Sequence, residues 1–192
     1  MARFAVLASG AGTNFQALAA AFTPSGPHEL VAVISDRRSA PVLSRAQLLG
    51  IPAYYLPYAP DNRKVFERAA ITILSGLAVD LVVLAGFMRV LTSLFVDAFS
   101  RRIINIHPSL LPKYPGTHAI EKSYRSKDTE LGVTVHFVDA VLDGGEVIAQ
   151  ESFVRSSLQT IDEVEQKIHE IEHRLYPEVV RNLLEEQIHG RR

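Results

Sequence analysis

Five short apolar runs, at residues 4–8, 30–35, 53–56, 81–85 and 103–106, recur along the first half of the chain. Each spans four to six residues and stops at glycine, proline or a polar cluster, the length and punctuation of strands buried on both faces. Between them, segments 13–22, 41–49, 62–77 and 92–99 return an apolar residue every three to four positions, which predicts helices with one face turned to a core. This alternation predicts an α/β fold with a Rossmann-like, doubly wound, mostly parallel sheet. The pattern changes past residue 130. Segments 132–138 and 147–153 alternate apolar with polar residues around Asp143-Gly144-Gly145, so a C-terminal antiparallel, hairpin-like addition is expected. Thr160-Ile161-Asp162-Glu163 has the form of a capping box, and Val164, Ile168, Ile171 and Leu175 carry a helical apolar face to Pro177, so a long helix should close the fold. With no repeat, low-complexity tract or linker, residues 1–192 are expected to form a single domain. Gly190-Arg191-Arg192 is expected to fray.

The chemistry concentrates where the fifth run ends, at Asn105-Ile106-His107-Pro108-Ser109-Leu110-Leu111-Pro112. Strand alternation puts Asn105 and His107 on one face, able to converge on one reacting centre. Asp143, beside two glycines, offers a carboxylate that can reach them. Together an amide, an imidazole and a carboxylate can polarise a carbonyl, shuttle a proton and hold a water. Taken singly, each is better explained by local backbone bonding or an ordinary turn. The three beside a glycine-rich loop point to a site. That loop, Ser9-Gly10-Ala11-Gly12-Thr13-Asn14, follows the first strand and opens the first helix, where free N–H groups favour an anion such as phosphate. A tight turn capped by Thr13 or Asn14 is an equal alternative. Phe15 stands where the dinucleotide fingerprint needs its third glycine, and Asp36 only loosely matches its ribose-binding acid, so a monophosphate is preferred to NAD. Gly86-Phe87-Met88-Arg89-Val90-Leu91 follows the fourth strand, where such sheets bind ligands and a flat heterocycle would fit; for Phe87, Val90 and Leu91 taken individually, core packing is the better explanation. His169-Glu170-Ile171-Glu172-His173 matches a zinc-protease helix in form, but no third ligand follows at the required spacing, and a polar helix face is preferred.

The chain of 192 residues can bury a core without staples, and it contains no cysteine, which removes disulfides, thiolate ligands and cysteine nucleophiles. A net charge of −1, from 20 Lys and Arg against 21 Asp and Glu, gives no global field for nucleic acid or membrane. The N-terminus reads as a strand rather than a signal sequence, and no apolar run reaches the roughly 18 residues of a membrane span. A cytoplasmic protein is expected.

Taken in order and spacing, Ser9 to Asn14, Gly86-Phe87-Met88-Arg89, the Asn105 to Pro112 segment and Leu142-Asp143-Gly144-Gly145 resemble the folate-dependent formyl transferases, specifically the glycinamide ribonucleotide formyltransferases. The resemblance spans nearly the whole chain and implies the formyltransferase fold. It also implies formyl transfer from 10-formyltetrahydrofolate to the amine of glycinamide ribonucleotide, in de novo purine synthesis, with no metal. By motif it implies Asn105, His107 and Asp143 as catalytic residues. The ribonucleotide would meet Gly10, Ala11, Gly12, Thr13 and Asn14 at its phosphate, Glu172 at its amino end, and Gly86 and Pro108. The folate would meet Met88, Arg89, Val90, Leu91, Asn105 and the loop of Val138, Asp139, Ala140, Val141, Leu142 and Asp143, with Arg63 near its glutamate tail. Partners would be these small molecules alone, in a monomer or homodimer. Two positions depart from the family pattern: His169 stands where relatives often carry glutamine, and Thr13 where serine is frequent. Among relatives of different activity, 10-formyltetrahydrofolate hydrolase usually adds an N-terminal regulatory domain. Methionyl-tRNA formyltransferase carries an arginine in its Leu-Leu-Pro loop and a C-terminal RNA-binding domain. Neither feature is expected here, and a nucleotide-sugar formyltransferase is a more distant option. A non-catalytic nucleotide-binding module would keep the glycine loop without needing Asn105, His107 and Asp143 together.

Overall fold

The computed structural model describes residues 1–22, 26–156 and 159–189. Its strands are β1 (Ala2–Leu7), β2 (His28–Ser35), β3 (Ala53–Tyr55), β4 (Leu81–Leu84), β5 (Ile103–His107), β6 (Glu130–Phe137) and β7 (Val147–Val154). They form one sheet in the order β3-β2-β1-β4-β5-β6-β7. The first five run parallel, and β6 and β7 add antiparallel to β5. The helices are α1 (Thr13–Ala21), α2 (Pro41–Leu48), α3 (Arg63–Gly76), α4 (Ser93–Ala98), α5 (Ala119–Arg125) and α6 (Ile161–His189).

Strand alternation divides the core between the two faces of the sheet. Phe4 and Val6 of β1, Leu81 and Val83 of β4, and Ile104 and Ile106 of β5 pack with Phe15, Leu18 and the apolar face of α6. Ala5, Leu7, Val82, Leu84 and Ile103 pack on the other side with Phe66, Ala70, Leu74 and Phe95 of α3 and α4. This two-sided burial explains why the parallel strands read as continuous apolar runs.

The capping box forms as expected: Thr160 N–H donates to Glu163 Oε2 at 2.7 Å, and Glu163 N–H to Thr160 Oγ1 at 3.3 Å. The helix does not end with its expected apolar face at Pro177, however, but runs on to His189. A proline inside a helix costs about 3 kcal/mol. Past it, Val179, Val180 and Leu184 are buried in the same core, and each contributes about 1.5–3 kcal/mol, which outweighs the break. Helix α5 has no counterpart in the elements expected from the sequence; its N-cap residue, His118, lies in the left-handed region and makes no side-chain cap. The expected fraying of Gly190-Arg191-Arg192 lies outside the described residues.

The sheet order reverses between β1 and β4, so the chain leaves these neighbouring strands in opposite directions and opens a crevice at their carboxyl ends. Ser9 ties the two loops there: its N–H donates to Gly86 O at 3.1 Å, and its hydroxyl accepts Met88 N–H at 2.9 Å. The far end of the second loop is fixed by buried Glu67 of α3, whose Oε1 accepts Thr92 N–H at 2.7 Å.

Candidate active site

The glycine loop presents its backbone and not a capping side chain. Gly12 caps α1 at φ 78° with no side-chain bond to the helix N-terminus. A Cβ at this position would lie 2.6 Å from Val42 Cγ2, so both conformation and contact demand glycine. Arg45 Nε donates to Ala11 O at 2.8 Å and steadies the turn. The alternative in which Thr13 or Asn14 caps the helix is not the one adopted, and the first N–H groups of α1 are left for an anion. Asn14 turns instead to α6, where its Nδ2 donates to Glu172 Oε2 at 3.0 Å; its Oδ1 is buried without a protein partner. The same carboxylate oxygen accepts His169 Nδ1–H at 2.9 Å.

At the other end of the crevice, β5 places Asn105 and His107 on one face. Register pairs Asn105 with His136 and His107 with Thr134, so β6 contributes two polar side chains to that face. His136 is the residue sequence reasoning missed. Its Nδ1–H donates to its neighbour's carbonyl, Phe137 O, at 2.8 Å, which leaves Nε2 with a lone pair that accepts Asn105 Nδ2–H at 3.2 Å. Burial pushes the His136 pKa down, against the Phe137 hydrogen bond and the Asp143 charge, and this keeps the ring neutral. Its tautomer thereby orients the Asn105 amide and leaves the second N–H of that amide for another acceptor.

His107 is buried, and its Nε2 lies 2.8 Å from Tyr114 O. A carbonyl only accepts, so this nitrogen carries a proton, and the other ring nitrogen, Nδ1, faces Asp143 Oδ2 at 3.6 Å. Asp143 Oδ1 lies 3.7 Å from His136 Nε2, so the carboxylate sits between two imidazoles. Gly116 N–H anchors Asp143 Oδ2 at 2.7 Å. Asp143 adopts φ 50°, a conformation that aspartate tolerates better than most residues and that concentrates at functional sites. The glycines after it serve close approach: a Cβ on Gly145 would stand 1.9 Å from Phe137 O. Thr134 braces the neighbouring proline loop, donating to Ser109 O at 2.6 Å and accepting Leu111 N–H at 3.0 Å. Gln150 Nε2 joins it at 2.8 Å.

The remaining sequence candidates fall around this centre. Met88, Val90, Val141 and Leu142 are exposed apolar side chains on the two loops, and Leu91 and Val138 are half-buried. Asp139 shapes its loop by accepting Val141 N–H at 2.7 Å, next to exposed Ala140. Gly10, Thr13 and Pro108 are half-buried, Ala11 is exposed, and Gly86 takes φ 68°. Arg63 is exposed at the start of α3. Arg89 is not free: its Nε pairs with buried Asp36 Oδ2 at 2.6 Å, and its guanidinium lies 4.5 Å from the Tyr58 ring centre. Asp36 therefore serves as that arginine's counter-ion, and the loose match to a ribose-binding acid does not hold. His169 and His173 stack with their ring planes 10° apart, and among the described residues no group of three or more His, Asp or Glu is placed to hold a metal.

A switch-point crevice with an uncapped helix N-terminus on one side and an Asn–His–Asp cluster on the other has the form of an α/β group-transfer enzyme. The formyl transferase family model matches residues 2–180, and the chain belongs to that family. It is 38% identical over 186 residues to the phosphoribosylglycinamide formyltransferase of Bacillus subtilis strain 168, covering 96% of this chain and 95% of that protein. To the enzyme of the same name from Escherichia coli strain K12 it is 41% identical over 177 residues, covering 91% and 84%. The crystal structure of phosphoribosylglycinamide formyltransferase from Streptococcus pneumoniae TIGR4 superposes with a TM-score of 0.89 at 42% identity, covering 95% of this chain and 99% of that one.

Proposed function

We infer that this chain transfers the formyl group of 10-formyltetrahydrofolate to the amine of phosphoribosylglycinamide, giving the formylated amide and tetrahydrofolate in purine biosynthesis. The observation that carries the reading is the clustering of Asn105, His107 and Asp143 at the crevice, in a chain that matches enzymes of that name over nearly its whole length. The single unit 1–192 is proposed to supply the whole site.

The amine nitrogen attacks the formyl carbon, and negative charge builds on the formyl oxygen. The unused N–H of Asn105 and a proton on His107 Nδ1 are suited to stabilise that oxyanion. Asp143, held by Gly116 N–H, supports the protonated imidazole and positions a water that carries a proton from the attacking nitrogen to the departing folate nitrogen. The carbon–nitrogen bond to folate then breaks, and the donor leaves as a neutral amine. The substrate phosphate fits the N–H groups of the Gly10 to Asn14 loop, backed by Gly86 and Pro108. Buried Glu172 and the unpartnered Asn14 Oδ1 offer acceptors for its amino end. Exposed Met88, Val90, Val141 and Leu142 suit a flat pterin. Arg63 is proposed near the folate carboxylates, whereas Arg89, held by Asp36, is proposed to shape the pocket wall.

The test is donor turnover, followed by absorbance with purified protein, with and without phosphoribosylglycinamide. Turnover that depends on the amine supports the transferase. Equal turnover without it means hydrolysis, and none in either sample returns the chain to another formyl acceptor or a binding role.

A further inference from the structure

Helix α6 carries a titratable cluster that this chemistry uses only in part. Both donors to Glu172 converge on one oxygen, Oε2, from Asn14 of α1 at 3.0 Å and from His169 at 2.9 Å. The Glu172 side chain is 5% exposed and that of His169 is 40% exposed. The second ring nitrogen of His169, Nε2, lies 3.6 Å from Glu165 Oε1. A neutral imidazole has one N–H and one lone pair, so it would aim a lone pair at one of these two carboxylates. Only the imidazolium offers an N–H to both.

The remaining groups facing the ring are consistent with a charged His169. His173 stacks on it one turn along, with ring centres 6.1 Å apart, and burial pushes the His173 pKa down, so that ring stays neutral. Asn14 contributes no charge. Among the described residues, the titratable groups facing His169 are thus Glu165, Glu172 and His173, all from α6. The hydrogen bond to Glu172 pushes the His169 pKa above its usual 6.5, against partial burial.

We propose that His169 is a positioning residue for the amine substrate: as an imidazolium it neutralises Glu172, so that this carboxylate holds the substrate's amino end as a free amine and not as an ammonium ion. The inference rests on the reading of Glu172 as the amine's partner. An ammonium ion has no lone pair with which to attack. An α-amino group titrates near pH 7.7–8.0 in water, and an uncompensated carboxylate within about 4–6 Å favours its charged form by about 1–3 units. A carboxylate already paired with an imidazolium exerts little of that pull, so binding and nucleophilicity are compatible on one residue. A glutamine at this position would donate a hydrogen bond but carry no charge, so the charge on His169 is the part of the pairing that the pH profile should report.

The test uses the full chain and His169→Gln, which keeps a donor for Glu172 and removes the charge. An NMR titration should find His169 ionising above 6.5 in the wild type and closer to that value in Glu172→Gln; identical titration in the two overturns the pair. In kinetics, the acidic limb of the kcat profile should move up by about one pH unit in His169→Gln, a roughly tenfold loss of turnover below the limb, with the KM for formyl-folate unchanged. A purely structural His169 would lower Tm without moving that limb. Amine-dependent turnover with superimposable wild-type and variant profiles overturns this role alone. Absence of amine-dependent turnover in the wild type overturns the functional reading and this role with it.

Discussion

Replacing Tyr176 with phenylalanine removes one oxygen atom and tests how α6 fixes the crevice. Tyr176 is fully buried on α6, and its hydroxyl lies 2.8 Å from Leu84 O and 3.2 Å from Ile104 O. The first carbonyl ends β4 and leads into Ala85-Gly86, and the second lies in β5 directly before Asn105. Burial pushes the phenol pKa well above its usual value, so the hydroxyl remains a donor at any working pH. A hydroxyl has one proton, so the two acceptors share a single bond. Its loss beneath a ring that stays buried costs about 1–2 kcal/mol. For a chain of this size each kcal/mol moves Tm by about 2–4 °C, which predicts a drop of about 2–8 °C in thermal unfolding followed by circular dichroism. Turnover should also fall, because Asn105 follows directly on a released carbonyl. An unchanged Tm together with unchanged kcat would refute the argument that this contact ties the helix to the site.

Asn105→Ala and Asp143→Asn should each lower kcat by about 100-fold or more while KM for both substrates stays within a few-fold; unchanged turnover in both removes them from the chemistry. Gly145→Ala should fold, because the clash falls on a surface loop, yet lose most of its kcat as the new methyl pushes the Asp143 loop away from Phe137 O, 1.9 Å from its built position. Wild-type kinetics would contradict that geometry. Stability should decline with acid, because burial depresses the pKa of His28, His136 and His173. Groups neutral in the fold contribute stability that is present above the unfolded value of 6.5 and is lost as pH falls through their lower folded values. His169 has the opposite sign: its contribution is complete below 6.5 and is lost as pH rises through its raised folded value. Three depressed histidines against one raised predict a urea midpoint that falls from about pH 7 to about pH 5, less steeply in His136→Gln. A midpoint that rises on acidification would contradict the assignment.

The parallel strands and their helices were legible because each buried run and each amphipathic face has a period that local sequence reveals. The capping box at Thr160 and Glu163 was legible for the same reason: its partners lie three residues apart. The end of α6 was not, since Pro177 is a local signal and the burial of Val179, Val180 and Leu184 that overrides it is tertiary. Asn105 and His107 could be placed on one face from alternation alone. His136 could not join them, because alternation puts it opposite Val133 and Val135 without saying which strand lies alongside; that depends on the β5–β6 register. Asp36 and Arg89, 53 positions apart, are unrelated in the sequence, and only the fold makes each the other's partner.

The most direct test of the account is a single-turnover experiment with formyl-labelled 10-formyltetrahydrofolate and phosphoribosylglycinamide, in wild type and Asp143→Asn, tracing where the label goes. Label is expected in the formylated amide with wild type and almost none on the same timescale with Asp143→Asn, despite retained binding of both substrates. Label recovered as formate, or transferred equally fast by both proteins, would contradict it.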